Sequence, residues 1–205
     1  MKHKSLRTNL VKYIARMALA LSVTACATTQ NVASKNVIQS APGAVHEIQS
    51  GYLVTQLTVI IPDELTVSEA NVYLPLVDIV WREDPLGDRK VQVQDILIDA
   101  IVKGVSKVPD GQPVTMEVRL NMFHALTEKT RYSVGGRHNI NFDYVLRDAK
   151  TGIPLAEAKT INASLKAYGG TRAITAMAHG ETQKVRITKH IENLMYLEMS
   201  KGGDS

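Results

Sequence analysis

The 205-residue chain has one cysteine, one tryptophan and two phenylalanines. A single cysteine excludes an intrachain disulfide and any metal site built on a pair of thiolates. No long apolar run is present. The most apolar stretch near the start, Met17–Val23, falls far short of the ~18–20 residues that cross a bilayer. Beyond His3 the histidines are His46, His124, His138, His179 and His190. None stands three or four residues from another, and neither an H-E-x-x-H helix nor a G-x-S-x-G elbow occurs. No metal or cofactor is therefore expected, and no catalytic residue is assigned. An excess of positive charge is also lacking once the chain is divided. Lys2, Lys4, Arg7, Lys12 and Arg16 precede any acidic residue; taking these five from 24 basic residues leaves 19 against 20 acidic ones. The remaining chain has no basic bias, so no nucleic-acid partner is expected.

What is present at the start is a targeting pattern. Five basic residues are followed by a short apolar segment and then by Val23-Thr24-Ala25-Cys26. That order is the n-region, h-region and small-residue cleavage point of a secretory signal. Its ending resembles the bacterial lipobox. The resemblance implies diacylglyceryl on the Cys26 sulfur and cleavage before it, which leaves Cys26 as the acylated, palmitate-bearing first residue. Two or more chains hold a protein firmly on a membrane where one does not. Residues 1–25 are thus expected to be a lipoprotein signal peptide, and 26–43 a lipidated N-terminus with a flexible, polar tether. Residues 44–205 are expected to form one α+β periplasmic domain.

Periodicity divides that domain. "YLVTQLTVII" (52–61) alternates as a strand, with Leu53, Leu57, Val59 and Ile61 on its apolar face. "VSEANVYLP" (67–75) fits either a turn of helix or a loop, and "VDIVWRED" (77–84) reads as a short strand. Asp88 can cap a helix from about Arg89 to Ser106, whose Val93, Leu97, Ala100, Ile101 and Gly104 form one face. "PVTMEVRLNMFHAL" (113–126) alternates most cleanly, with Val114, Met116, Val118, Leu120 and Met122 inward. Two further strands are joined at Asp148–Gly152, where glycine suits a positive φ. A second helix follows Thr171, with a break expected near Gly180. The order β-β-α-β-β-β-α describes a mainly antiparallel sheet with two helices packed on one face.

The densest polar chemistry lies in "DIVWREDPLGDR" (78–89), which holds the one tryptophan, four carboxylates and two arginines. Trp81, Arg82, Glu83, Asp84 and Arg89 are the candidate partner-binding residues, because tryptophan and arginine often anchor interfaces. Three other uses of the stretch stay open: acid–base work by its carboxylates, a hard cation held by Asp84 and Asp88, and a structural role. In the structural role Trp81 packs on the sheet, the arginines pair with nearby acids and Asp88 caps the helix. Two glycine pairs, in "SVGGRH" (133–138) and "YGGT" (168–171), fit either an anion cradle or tight turns.

With the lipobox, "VSEAN", "DIVWREDPLGDR" and "VRITKHI" (185–191), the chain resembles a family of small uncharacterised Gram-negative lipoproteins. Its element order is distantly similar to auxiliary lipoproteins of envelope ABC transport and outer-membrane assembly. The resemblance leaves the family's function unknown; the missing catalytic constellations, with the anchor at Cys26, lead instead to the expectation of a non-catalytic accessory or protein-binding domain facing the periplasm and serving an envelope protein partner. Ala27, standing where an inner-membrane retention aspartate would, favours the outer membrane over the inner. A lipid- or small-molecule-binding lipoprotein and an envelope hydrolase are the alternative readings.

Overall fold

In the computed structural model the described residues are 51–202. The described chain begins with β1 (Tyr52–Ile60), β2 (Ile79–Val80), α1 (Arg89–Val105) and β3 (Gln112–His124). The short helix α2 (Glu128–Arg131) leads to β4 (Gly136–Asp148), β5 (Lys159–Asn162) and β6 (Leu165–Ala167), and α3 (Gly170–Ala178) and α4 (Gln183–Ser200) end the unit. The class is α+β, with more elements than the periodicity predicts.

The sheet is mixed. Its path is β1-β3-β4-β5, with β2 also beside β3 and β6 beside β4. Pairings along β4 are antiparallel, but β1 and β2 both run parallel to β3. A parallel neighbour needs a long crossover, and α1 supplies it between β2 and β3. α1 and α4 cover one face, where Leu97, Ala100 and Ile101 meet Ile187, Ile191 and Met195 over Val114, Val118 and Phe142 in one cluster. Each fully buried Val, Leu, Ile, Phe or Met among them contributes about 1.5–3 kcal/mol. The opposite face carries Glu117 and Arg119 in solvent, as a one-sided sheet requires.

Two bulges correct the predicted strand faces. The register of β1 against β3 shifts between Val54 and Gln56. Tyr52 and Val54, rather than Leu53, therefore join Leu57 on the core side. β3 shifts against β4 between Leu120 and Met122, so Phe123 is buried and Met122 only partly so. One extra residue turns every later side chain to the other face, because the strand period is two. The predicted strand at 77–84 is reduced to Ile79–Val80 beside Phe123–His124. The helix after Thr171 is broken, with Gly180 at φ 77° between α3 and α4. The Asp148–Gly152 turn forms as predicted: Asp148 Oδ1 accepts from Lys150 and Thr151 N–H, and Gly152 takes φ 70°.

Candidate interaction site at one end of the sheet

The segment 78–89 leaves β2 at the end of the sheet where β3 finishes; Trp81 and Arg89 turn inward, while Leu86 and Asp88 stay in solvent. Trp81 is wholly buried. Its ring meets Phe123 edge-on, with centroids 5.8 Å apart, and its indole N–H donates to Asp84 Oδ2 at 2.8 Å. An indole without solvent exposure cannot anchor a partner, which corrects the expectation for Trp81. It is instead the peg on which the loop is hung, with its one polar atom satisfied.

The neighbouring charges form a closed network. Arg89 donates from Nε to Glu69 Oε1 at 2.6 Å and from Nη2 to Glu69 Oε2 at 3.1 Å, a two-point grip on one carboxylate. Its Nη1 reaches the Asp84 and Pro85 carbonyls and Gln92 Oε1. Arg82 donates to Glu128 at 2.6 Å and to Glu69 at 3.1 Å. The Arg89 hydrogen bonds lead in holding the Glu69 carboxyl below its usual range. Burial works to raise Glu128, yet the Arg82 contact leaves it lowered. Glu83 accepts from the Gln183 and Lys184 N–H groups at 2.9 and 3.1 Å and from Arg131 Nη1 at 3.1 Å. It thus closes the first turn of α4 from a hundred residues away. Asp84 also accepts from Lys184 Nζ at 2.9 Å. Asp88 caps α1 through the Lys90 and Val91 N–H groups.

All five candidate residues are therefore in one place. They are joined by Glu69, Glu128, Arg131, Gln183 and Lys184, which sequence reasoning did not single out. These partners stand 13 to 101 residues from the groups they meet, and no local pattern marks them. Only the quoted "VSEAN", which contains Glu69, gave a signal. The arginine side chains keep little exposure, 20% for Arg82 and 5% for Arg89. The arrangement suits fixing four segments to one another better than meeting a partner with these side chains.

The two glycine pairs meet. A Cβ on Gly169 would stand 2.1 Å from the Gly135 nitrogen, and one on Gly135 would stand 2.6 Å from the Gly169 nitrogen. The backbones touch, so glycine is required by contact, and the anion-cradle reading is unnecessary. Below this contact His138 is wholly buried, with neither ring nitrogen hydrogen-bonded within the protein. Burial, with Arg186 and Arg131 nearby, pushes its pKa down to about 3. His138 is therefore a neutral core residue. Arg131 Nε is buried without a partner as well.

Two concave places lie at the two ends of the sheet. At the opposite end of the sheet a cleft of about 130 Å³ is lined by Tyr52, Tyr144, Lys159 and Glu198. Tyr144 Oη donates to Glu198 Oε1 at 2.7 Å, and Lys159 pairs with the same carboxylate. Burial and then Glu198 raise the phenol, so it is a poor general base. The cleft is below the ~300 Å³ at which pockets bury a drug-sized ligand. A broad depression of about 400 Å³ lies beside Leu74, Leu76, Met122 and His124 at the Trp81 end. Among the described residues no three His, Cys, Asp or Glu side chains are placed to hold a metal, and no helix is long and apolar enough to cross a membrane. Cys26 lies outside the described residues.

Comparison with known proteins bears on the same region. A family of unknown function, DUF6778, matches residues 52–205. No curated protein matches the chain. Among solved structures it is similar to one from Caulobacter crescentus CB15, described as a "putative lipoprotein", at 16% identity and a TM-score of 0.31. The match covers 52% of this chain and 80% of that one.

Proposed function

The chain belongs to a family of unknown function, DUF6778, and we propose that it is a lipid-anchored envelope lipoprotein with a non-catalytic accessory domain facing the periplasm. The observation that carries this reading is Val23-Thr24-Ala25-Cys26, placed after a basic stretch and a short apolar run. Acyl chains on Cys26 hold the domain to the membrane, and Ala27 directs it to the outer one. The domain serves a protein partner of the envelope rather than turning over a substrate. The charged cluster is internal to the domain: Arg82, Arg89 and Arg131 each face a carboxylate already engaged, which suits a rigid scaffold.

The test is Cys26→Ala in the native cell. Loss of the acyl mass and release from sedimented membranes are expected, with accumulation of uncleaved precursor as the other form of the same result. Normal cleavage and firm membrane association in this variant would refute the anchor. Turnover of a defined envelope substrate, abolished by Tyr144→Phe or Lys159→Ala without loss of folding, would replace the accessory reading by the hydrolase one.

A further inference from the structure

Above the ion-paired cluster, three segments come together at the end of the sheet. The loop 71–76 lies on α2: the Thr127 and Thr130 hydroxyls donate to the Val72 and Tyr73 carbonyls at 2.8 and 3.0 Å, and Lys129 N–H donates to Asn71 Oδ1 at 2.8 Å. The loop after α2 is held to the start of α3 by the contact of Gly135 with Gly169. These segments present Tyr73, Leu74, Leu76, Tyr132, Val134 and Ile174 to solvent. Leu76 is 91% exposed, Val134 78% and Leu74 68%. Side chains so exposed add nothing to the core, and clustered apolar exposure marks a contact surface.

The charges beside them that lack an ion-pair partner are, with one exception, positive. Lys129 Nζ stands 4.5 Å from the Tyr73 ring, and Arg172 and Arg186 stand 4.0 and 3.6 Å from the Tyr168 ring. Among the described residues neither these three cations nor Arg137 and Lys166 form an ion pair, whereas Glu69, Glu83, Asp84 and Glu128 all do. Asp78 is the exception, held by the Thr66 N–H and hydroxyl. Aliphatic tips, tyrosines and uncompensated Lys and Arg are what an anionic bilayer surface takes up. The tips pass the headgroups, the rings sit at headgroup level and the cations meet phosphate.

We propose that this end of the domain is a second membrane contact, seated on anionic lipid of the membrane that holds Cys26. The inference rests on the anchored reading above. The chain enters the described unit at Gly51, beside the start of β3 and so at the far end of the sheet. The 25 peptide links from Cys26 to Gly51 reach at most about 90 Å, while the 13 residues of β3 span about 40 Å. The tether is therefore long enough for the domain to lie with this end on the bilayer. Confinement by the anchor also keeps a weak patch at high effective concentration.

The test uses the full acylated chain reconstituted in vesicles of phosphatidylglycerol and phosphatidylcholine. Cys26 is the single cysteine, so once its sulfur carries the diacylglyceryl group an introduced thiol is the only one to label. An environment-sensitive dye is placed at Leu76→Cys and Val134→Cys, with Ile153→Cys as control. Ile153 is 64% exposed and lies in the turn between β4 and β5, at the other end of the sheet. Expected are a blue shift and quenching by brominated acyl chains at 76 and 134 but not at 153, both diminished in pure phosphatidylcholine. Aqueous emission at all three positions would overturn the proposal and leave this end to a protein partner. Equal shifts at all three would overturn it as indiscriminate adsorption. Failure of the anchor is read separately: dye uptake by the parent chain means a free Cys26, and the same comparison is then made in a Cys26→Ser background.

Discussion

At the scale of single residues, the side chains that look most reactive in the sequence are the most fully engaged. Glu83 illustrates this: its carboxylate accepts from two N–H groups of α4 and from Arg131. Its side chain is 15% exposed and that of Arg131 7%, so removing one charge strands the other in a poorly solvated place. Glu83→Gln should destabilise the domain by about 3 kcal/mol in denaturant unfolding, and Glu83→Asp by less. Unchanged stability in both would show that α4 is closed by Thr182 alone. His138 gives a prediction in pH. Its pKa is about 3 when folded against about 6.5 unfolded, so between these values the unfolded state binds the additional proton. The neutral ring's contribution is present in full above pH 6.5 and is lost as the pH falls toward 3, at about 1.4 kcal/mol per pH unit. Denaturation midpoints at pH 7 and pH 4.5 should differ accordingly. His138→Leu should flatten the difference in that window.

At the scale of elements, the helical layer depends on one close crossing. A Cβ at Gly104 of α1 would lie 2.4 Å from the Glu192 carbonyl oxygen and 3.0 Å from the Met195 Cβ of α4. Alanine is the better helix former by up to about 1 kcal/mol, but here the clash is with backbone and the helices must separate. Gly104→Ala should cost about 2 kcal/mol net, within the range of core overpacking, measured against Lys103→Ala on the exposed side. A gain in stability would mean that α4 can move aside. The element scale also shows where sequence reading stops. The α1 cap at Asp88, the Asp148–Gly152 turn and the break at Gly180 are local, and they are found where the residues indicate. The bulges near Thr55 and Asn121 are not local, because each is a mismatch between two strands rather than a property of either.

At the scale of the whole molecule, the cluster around Trp81 is best understood as a joint. It ties the 66–78 loop, the start of α1, α2 and the start of α4 together through Glu69, Arg82, Glu83, Arg89 and Arg131. Reversing the charges of Arg82 and Glu83 should therefore loosen this end of the domain and lower the melting temperature before it reports on any partner. Surface changes such as Leu76→Ser or Arg172→Ala should leave the melting temperature within a degree or two, since substitutions away from packed features stay within about 0.5 kcal/mol. If a membrane or partner contact is lost in these variants while stability holds, the free end of the sheet is the functional surface. If the contact persists in both, that surface is elsewhere.

The division between what the sequence determines and what the tertiary structure decides follows the range of the physics. The sequence alone determines features whose cause lies within a few residues: the basic and apolar segments leading to Cys26, the alternation in β3, the apolar stripe of α1, its Asp88 cap and the positive-φ turn at Gly152. It also marks Trp81 to Arg89 as exceptional, without saying for what. Tertiary structure decides everything that depends on what lies opposite: that β1 and β2 run parallel to β3, that Trp81 faces inward, and that Glu83 closes a helix a hundred residues on. It also decides that two glycine pairs serve each other rather than an anion. A side chain carries its own propensity wherever it stands, but its partner is chosen by the path of the whole chain.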